Sequence, residues 1–267
     1  MIIVKLIGGL GNQLFQYAMA RRIAYVNKVH LKLDISSFQN YRLHKYSMSH
    51  FSIIEDFSSA EEINRVKKVY EKSFSFNPNF LQIADNVYLE GYWQSEKYFK
   101  DIEDIIRKEY TLKDRVNSIT KKISLIVKNK NSISIHVRRK DYILNKQTYK
   151  FHGVCSQEYY ANAIKKIANM ISNPYFFIFS DDKPWTKKHL KIDLPHTFVT
   201  HNGPDKNYED LKLMSLCKHH IIANSTFSWW GAWLSMNKNK IVIAPKKWFN
   251  IPEYNSSDLI PTGWNTL

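Results

Sequence analysis

Cysteine, long apolar runs and leader-like features are scarce or missing in this chain. Among 267 residues there are only two cysteines, Cys155 and Cys217, which excludes a disulfide framework and fits a reducing compartment. No run of about 18 apolar residues occurs, so no transmembrane helix is predicted. The N-terminus, MIIVKLIGGLGNQ, begins directly with a core-like strand, and we expect no secretion signal. These absences favour a cytoplasmic protein.

Acidic residues are also few. Asp and Glu number 24 against 39 Lys and Arg, which gives a formal net charge of +15. Such an excess favours anionic partners: nucleic acid, an acidic membrane surface or phosphorylated small molecules. Because the lysines are dispersed and RNA-binding signature patterns are absent, we expect no nucleic acid partner. Peripheral contact with the inner face of an anionic cytoplasmic membrane is retained as an expectation.

The chain does contain a regular alternation of apolar strands and amphipathic helices. Hydrophobic residues make up 44% of it, as is typical of globular proteins. Residues 2–7 and 29–33 are predicted strands that flank a helix over 12–27. Residues 132–137 begin a second series of the same kind. This order predicts an α/β fold with parallel sheets.

The two series predict two Rossmann-like domains that face each other across a cleft, over residues 1–130 and 131–267. Within the first domain a helix is expected over 60–72. Within the second, residues 141–156 are expected to form a loop. For the irregular tail over 246–267 the sequence offers no functional interpretation.

The segment Ser132–Tyr142, SISIHVRRKDY, is the most informative part of the chain. It predicts a strand that carries His136, Arg138, Arg139 and Asp141 to its carboxyl end, where ligands bind in open α/β sheets. Two guanidinium groups there suit a doubly charged anion such as a pyrophosphate. The alternative is a surface strand that ends in solvated charge.

A glycine-rich turn follows the first strand. Gly9 and Gly11 precede a helix, whose free N–H groups and dipole favour an anion. A full dinucleotide fingerprint would place a third glycine where this chain has Leu14. Asp34 lies 23 residues after Gly11, at the position of a ribose-binding acid. Close strand–helix packing is the alternative explanation of the turn.

Two adjacent acids, Asp181 and Asp182, follow another apolar strand. Metal-dependent glycosyl transfer usually involves an Asp-x-Asp pattern, and this pattern is absent from the sequence. The two carboxylates therefore suit ribose hydroxyls or a base edge, or simply the cap of the next helix.

The block Tyr208–Leu234 combines a helix that starts near Asp210, a strand, and then Asn224-Ser225-Thr226 at the start of an apolar helix. Hydroxyl groups and N–H groups at a helix start form an anion cradle. Three tryptophans of this block are expected to pack in the core rather than bind sugar: Trp229, Trp230 and Trp233.

Taken together, these segments resemble the bacterial α-1,2-fucosyltransferases of glycosyltransferase family 11. The matching segments lie in the family's order over nearly the whole chain: GGLGNQLFQYAMARRIA at 8–24, HVRRKDY at 136–142, KFHGVCSQEYY at 150–160, FSDD at 179–182 and NSTFSWWGAWL at 224–234.

The resemblance implies a GT-B fold and an inverting, metal-independent transfer of L-fucose from GDP-fucose, without a cofactor. It also implies the 2-hydroxyl of a terminal galactose as acceptor, in an O-antigen, a capsule, a lipid-linked glycan or a free oligosaccharide. Acceptor contacts are expected from residues 35–60 and Tyr92-Trp93.

The resemblance assigns donor contacts as well. Arg138 would bind the pyrophosphate, His136 and Asp210 the guanine, and Asp181 or Asp182 the nucleoside. Further phosphate contacts would come from hydroxyl groups and from backbone of the other domain: Ser225, Thr226, Ser228, Gly11 and Asn12.

The general base is not ranked securely by the sequence. Inversion requires a group opposite GDP that accepts the acceptor proton, and Asp141, His152 and Asp34 are candidates. His152 is the hypothesis, because it lies between the donor strand and the following helix. Arg139 is expected to be structural.

Three alternatives stay open at this point. A fucosyltransferase of another linkage would carry the same motifs. An NAD-dependent oxidoreductase would explain the glycine-rich turn and Asp34, but neither HVRRKDY nor NSTFSWWGAWL. A non-catalytic glycan- or polyanion-binding module would explain the positive charge and the tryptophans.

Overall fold

The computed structural model describes residues 1–40, 43–251, 253–254 and 256–267, and within these ranges it leaves the side chain of Asp141 undescribed. The chain forms two compact units. The first comprises Met1–Arg115 with Tyr254–Pro261, and the second Val116–Glu253 with Thr262–Leu267. The second unit thus begins at residue 116, whereas the sequence pattern predicts a boundary after residue 130.

The first unit is built on a four-stranded parallel sheet. Its strands and α-helices, in chain order, are β1 (Ile2–Lys5), α1 (Leu10–Asn27), β2 (Leu31–Asp34), α2 (Ala60–Arg65), β3 (Lys67–Tyr70), β4 (Val87–Glu90) and α3 (Glu103–Glu109). The order of the strands in the sheet is β2-β1-β4-β3. Short 3-10 turns lie at Ser36–Gln39, Pro78–Gln82, Glu96–Tyr98 and Lys100–Ile102.

Two buried glutamines of α1 fix the turn that follows β1. The Gln13 side chain donates to the Gly8 carbonyl over 2.8 Å. Gln16 accepts from the Ile7 N–H at 3.0 Å and donates to the Gly91 carbonyl at 3.0 Å. Buried backbone groups outside a ladder need such partners. The glycine-rich segment therefore joins the start of α1 to the ends of β1 and β4.

The second unit is built on a six-stranded parallel sheet. One 3-10 turn lies at Pro204–Lys206. The strands and α-helices of the second unit, in chain order, are α4 (Ser118–Lys128), β5 (Asn131–Val137), α5 (Lys140–Leu144), α6 (Lys146–His152), α7 (Gln157–Ala168), β6 (Pro174–Ser180), α8 (Lys183–His189), β7 (His196–Phe198), α9 (Asn207–Leu216), β8 (His219–Ile221), α10 (Thr226–Trp233), β9 (Val242–Ala244) and β10 (Asn265–Thr266).

The order of the second sheet is β7-β6-β5-β8-β9-β10. Numbered along the chain this is 3-2-1-4-5-6, the order of dinucleotide-binding folds. The strand order reverses between β5 and β8, and ligands bind at such a switch point, outside the carboxyl ends of the strands. The topology alone therefore places a ligand site next to the residues that follow β5 and β8.

Two expectations about local structure are wrong. The helix expected over 60–72 ends at Arg65, and β3 follows it and pairs with β4. A capping box of Ser59 and Glu62 starts the helix, but strand pairing decides the next residues. The loop expected over 141–156 contains most of α5 and all of α6 instead. Asn145 caps α6 through the N–H groups of Gln147 and Thr148, and an Asn at this position is a typical helix start.

The tail is divided between the two units. β10 pairs with β9 in the second unit, where Trp264 packs against Trp229 at 5.5 Å between ring centroids. In the first unit, Asp258 accepts from the Phe76 N–H at 2.9 Å and pairs with Lys97 at 2.6 Å. The tail is therefore structural in both units. No helix of the described residues has the length and apolar character to cross a bilayer.

Candidate functional site

The central strand β5 is apolar on one face and polar on the other. Ile135 packs into the hydrophobic core with α7. Central parallel strands are usually apolar on both faces, so the polar face is unusual. Ser134 lies 2.8 Å from Nδ1 of the buried His220 on β8. The polar side chains alternate along the strand and run on to the residue after it: Ser132, Ser134, His136 and Arg138.

His136 is a buried, neutral histidine at the end of this polar face. Only 4% of it is exposed. Burial, and after it the charge of Arg138, lowers its pKa to about 3. Its Nδ1 has no hydrogen-bond partner among the described residues, and its ring lies 5.5 Å from that of Phe227 in α10. A buried polar atom without a partner is costly in a folded chain, which favours a ligand group there.

Arg138 follows the carboxyl end of β5, and its neighbours include Asp181 and Tyr142. Its Nε lies 3.5 Å from Oδ2 of Asp181, and its guanidinium lies 5.5 Å from the ring centroid of Tyr142. Its side chain keeps about one fifth of its surface exposed (21%). An arginine fixed in this way is preorganised for an anion.

The two acids after β6 are engaged within the protein. Asp181 accepts from the backbone N–H groups of Arg139 at 2.9 Å and Lys140 at 3.1 Å. Asp182 accepts from the Trp185 N–H and caps α8. It also lies 3.6 Å from Arg139, whose guanidinium stacks 4.0 Å from the Trp185 ring. Through these contacts both acids stabilise the turns after β5 and β6. The contacts with Asp182 and Trp185 also give Arg139 a structural role.

The start of α10 follows β8, on the other side of the switch point. Its cap residue, Ser225, makes no side-chain hydrogen bond to the first turn. The Ser228 hydroxyl donates to the Ser225 carbonyl at 3.1 Å and is buried, so it is used within the helix. Thr226 begins the helix. First-turn N–H groups without a side-chain cap form an anion site together with the helix dipole.

Asp210, in the first turn of α9, is a partly buried acid with a raised pKa. Burial raises its pKa from 3.8 to about 6, although Asn202 donates a hydrogen bond to it at 2.7 Å. Lys183 lies near enough to oppose the rise and is itself bound to the Asn202 carbonyl at 2.6 Å. A carboxylate of this kind binds a pair of N–H donors strongly once it is ionised.

His152 lies at the end of α6 within a cluster of aromatic rings. Its ring stacks on Tyr142, with 4.8 Å between centroids and 13° between planes, and it also contacts Phe151 and Phe249. Because Tyr142 also contacts Arg138, the stacked pair connects His152, the candidate base, with Arg138, the candidate anion-binding residue.

Asn224, which the sequence pattern predicts as a helix cap, is a buried residue with a wider set of contacts. Its Nδ2 donates to the carbonyls of His152 at 2.8 Å and Trp248 at 3.2 Å, and its Oδ1 accepts from the Cys155 thiol. The Tyr142 hydroxyl donates to its backbone carbonyl at 3.2 Å. Asn224 therefore joins the β8–α10 turn to the His152 segment. In the sequence, the sign of this role is an Asn just before the start of α10.

Three sequence-predicted residues lie in the first unit. Gly11 and Asn12 form the first turn of α1, and the Asn12 side chain accepts from Gln94 at 3.2 Å. Asp34 is buried, and its two oxygens accept from the Ser36 N–H at 2.9 Å and the Tyr88 hydroxyl at 2.7 Å. Its place in this network favours a structural role over that of a base.

Asp141, also a predicted candidate, belongs to α5, but its side chain lies outside the described part. The three tryptophans expected in the core are buried there: Trp229, Trp230 and Trp233. Within the described residues there is no group of three or more His, Cys, Asp or Glu side chains that could hold a metal ion.

Comparison of sequences identifies the family. The family model described as "Glycosyl transferase family 11" matches residues 63–267. The chain is 34% identical to an Escherichia coli α-1,2-colitosyltransferase, over 98% of this chain and 97% of the relative. It is 32% identical to the E. coli O-antigen biosynthesis glycosyltransferase WbnK, over 97% and 98%.

Comparison of structures supports the fold. The Arabidopsis thaliana FUT1 variant solved with GDP matches with a TM-score of 0.54 at 10% identity, over 91% of this chain and 70% of that one. The NodZ α-1,6-fucosyltransferase soaked with GDP-fucose matches with a TM-score of 0.52 at 16% identity, over 87% and 92%. The expected α/β fold of GT-B type is confirmed.

These relatives confirm the family resemblance and favour a glycosyltransferase over the dehydrogenase and the binding module. The protein is an enzyme that transfers a glycosyl group, and the chain belongs to glycosyltransferase family 11.

Proposed function

We propose that the protein transfers L-fucose from GDP-fucose to the 2-hydroxyl of a galactose-containing glycan, with inversion and without a metal ion. The observation that carries the proposal is the switch point of the second sheet. There the polar face of β5 ends in His136 and Arg138, and α10 begins without a side-chain cap. The neutral His136, the cationic Arg138 and the dipole of α10 lie at the carboxyl ends of neighbouring strands. Such a set of groups suits a nucleoside diphosphate.

The proposed mechanism follows from where charge develops. When the fucose–phosphate bond breaks, positive charge forms at the anomeric carbon and negative charge on the departing GDP. Arg138 and the first-turn N–H groups at Thr226 stabilise that negative charge, in the role that a metal ion has in other glycosyltransferases. The neutral His136 contributes a hydrogen bond without adding a second positive charge. Ser225 completes this cradle through its hydroxyl.

Asp210 is proposed to bind the guanine edge, where its carboxylate accepts two N–H donors. Asp181 is proposed as a positioning residue, because its oxygens bind the Arg139 and Lys140 N–H groups and face Arg138. Asp182 acts next to it as the cap of α8. Direct contacts of these two acids with the nucleoside are thereby less favoured than the sequence suggested.

Replacing Asp181 with Asn tests the positioning role. The Asn side chain would turn an N–H donor towards the N–H groups of Arg139 and Lys140, which now donate to Asp181. We therefore expect kcat to fall by on the order of tenfold. The decisive measurement is the double variant with Arg138→Ala. If Asp181 acts through Arg138, adding Asp181→Asn to the Arg138→Ala enzyme should lower kcat little further. Fully multiplicative losses would contradict this role.

His152 is retained as the proposed base. We expect His152→Ala to lower kcat by on the order of 10²-fold, the usual scale for loss of general-base help. It should also remove the dependence of the rate on one ionisation at the acid end of the pH–rate profile. Tyr142→Phe, which keeps the stacked ring, is the matched control. A His152→Ala profile of wild-type shape would eliminate this residue as the base.

The backbone of Gly11 and Asn12 stays a proposal for further phosphate contacts. For the acceptor, residues 35–60 and Tyr92-Trp93 remain proposed contacts. Within this range, residues 41–42 lie outside the described part.

The donor sugar has a second candidate. The relative at 34% identity is an α-1,2-colitosyltransferase, and colitose differs from fucose by the absence of the 3-hydroxyl. Competition between equal concentrations of GDP-fucose and GDP-colitose, read as the ratio of products, separates the two. A site that hydrogen-bonds the 3-hydroxyl should reject the deoxy sugar strongly. A product ratio in favour of colitose would overturn the fucosyl assignment and leave the nucleotide site unchanged.

Product linkage is tested in the same reaction. NMR of the product across a panel of galactosides, including an O-antigen-type repeat, should show substitution at the galactose 2-position.

We also propose peripheral contact with the inner face of the cytoplasmic membrane. The formal net charge of +15 supports it, because anionic lipids attract such a surface.

A further inference from the structure

The edge of the second sheet that lies opposite the candidate site carries a distinct surface. Each helix–strand loop that enters a parallel strand must lie at the amino end of that strand. Residues 129–130, 169–173, 217–218 and 234–241 are the loops that enter β5, β6, β8 and β9. The topology therefore brings these four loops to one edge.

Hydrogen bonds join the loops directly. Lys218 donates from Nζ to Oδ1 of Asn131 at 3.1 Å, and Asn131 donates to the Ser172 carbonyl at 2.7 Å. Asn237 donates to the Lys218 carbonyl at 2.8 Å. The loops thus form one continuous area, which we call the basal surface; it comprises the four loops and the last turn of α4.

The basal surface exposes large apolar side chains. Met236 is 76% exposed, Met170 53% and Leu125, in α4, 56%. Met170 and Met236 lie in two different loops of the same edge. Long thioether side chains at the tips of loops adapt to irregular apolar surroundings.

The same surface is basic. Lys128, Lys130 and Lys238 are exposed and Lys218 is half-buried. None of the four forms an ion pair with a carboxylate in the described ranges. The sequence contains no Asp or Glu from residue 115 to residue 140. Among the loops that enter β5 to β9, only the one before β7 contains an acid, Asp193.

We propose that the basal surface docks the protein onto an anionic phospholipid bilayer. Lysines beside a membrane contact headgroup phosphates, and each contributes about 1 kcal/mol, or about fivefold in affinity. Met170 and Met236 enter the interface between headgroups and acyl chains. The inference rests on the proposed membrane contact and assigns it to one surface.

The exposed methionines favour a bilayer over a nucleic acid. Exposed methionines gain nothing from a sugar–phosphate backbone, whereas they lose unfavourable contact with water in a lipid interface. The basal surface also lies at the sheet edge opposite the switch point. Docking there leaves the carboxyl ends of β5 and β8 uncovered, so membrane binding and nucleotide binding are expected to be independent.

Vesicle flotation of the full chain tests the proposal. The vesicles contain phosphatidylcholine with about 30% phosphatidylglycerol, at low salt. We expect the quadruple variant K128Q/K130Q/K218Q/K238Q to bind on the order of 10²-fold more weakly than wild type. The variant M170S/M236S is expected to lose about tenfold. Added GDP should change neither value.

A charge-matched control distinguishes the effect of the basal surface on vesicle binding from the effect of net charge alone. It replaces four exposed lysines of the first unit: Lys28, Lys67, Lys72 and Lys108. Equal losses in both lysine variants, or an unchanged M170S/M236S, would overturn the assignment of the basal surface. So would stronger binding to duplex DNA than to the vesicles. Because flotation needs no donor or acceptor, its result stands apart from that of the transfer assays.

Discussion

Arg138→Ala is expected to abolish most of the transfer activity while the protein stays folded. The side chain lies at the end of β5, with Nε 3.5 Å from Asp181, and about a fifth of it remains accessible (21%). Removing one preorganised donor to a developing negative charge lowers kcat on the order of 10²–10³-fold. Because no metal ion shares this role in the proposed mechanism, we expect the loss to lie at the upper end.

The accompanying variants make the result specific. Arg138→Lys keeps the positive charge but loses the planar fork and should recover only part of the rate. Thermal unfolding should show little change, since an ion pair between partly exposed side chains, such as that of Arg138 with Asp181, contributes little to stability. Guanidinium ion added to Arg138→Ala should restore some activity. An Arg138→Ala enzyme with near-normal kcat would contradict the assignment of the anion site.

Asp210 is expected to make donor binding depend strongly on pH. Burial raises the pKa of its carboxyl to about 6, and only the ionised form accepts two N–H donors from guanine. Below pH 6 the affinity for GDP-fucose should therefore fall about tenfold per pH unit, and above pH 7 it should be constant. GDP-fucose is the proper ligand, since its phosphates are esterified and do not titrate near pH 6.

The matched variant is Asp210→Asn, which keeps an oxygen for the Asn202 hydrogen bond but presents only one acceptor to guanine. Its affinity at pH 7.5 should be on the order of 10–100-fold lower than that of wild type and should not vary between pH 5 and 7.5. His136 does not disturb the comparison, because its pKa of about 3 keeps it neutral throughout. Calorimetric titration measures both curves. Parallel curves for the two proteins would contradict guanine binding by Asp210.

The same ionisation affects stability in the opposite direction. The native state keeps the Asp210 proton between its ordinary pKa of 3.8 and the native value of about 6, whereas the unfolded state has lost it. The free energy of unfolding therefore decreases as pH rises through this window, by about 3 kcal/mol in total. Asp210→Asn should remove this decrease, which gives a second readout that needs no ligand.

Much of the second unit could be predicted from the sequence, because its signals are local. The alternation in SISIHV predicts β5 and places His136 and Arg138 on one face. Apolar strands and amphipathic helices in regular order predict the parallel sheet. The switch point follows from the strand order, which the sequence leaves undetermined, since pairing depends on contacts distant along the chain.

Other parts depend on tertiary contacts that leave no local pattern. The sequence predicts Asn224 as an ordinary cap residue, yet its side-chain amide donates hydrogen bonds to the His152 and Trp248 carbonyls. Asp181 reads as a ligand-binding acid, but its oxygens bind the turn after β5. β10 is too short to be recognised without its partner β9. In each case a hydrogen bond across a long sequence separation decides the role.

The central claim is transfer from GDP-fucose with inversion, driven by the anion site of the second unit rather than by a metal ion. The most direct test is NMR of the product formed from GDP-fucose and a β-galactoside in excess EDTA. We predict an α-linked fucose on the galactose 2-hydroxyl, formed at the same rate as without EDTA. A β-linked product, or a reaction that stops in EDTA and resumes with added divalent cation, would contradict the account.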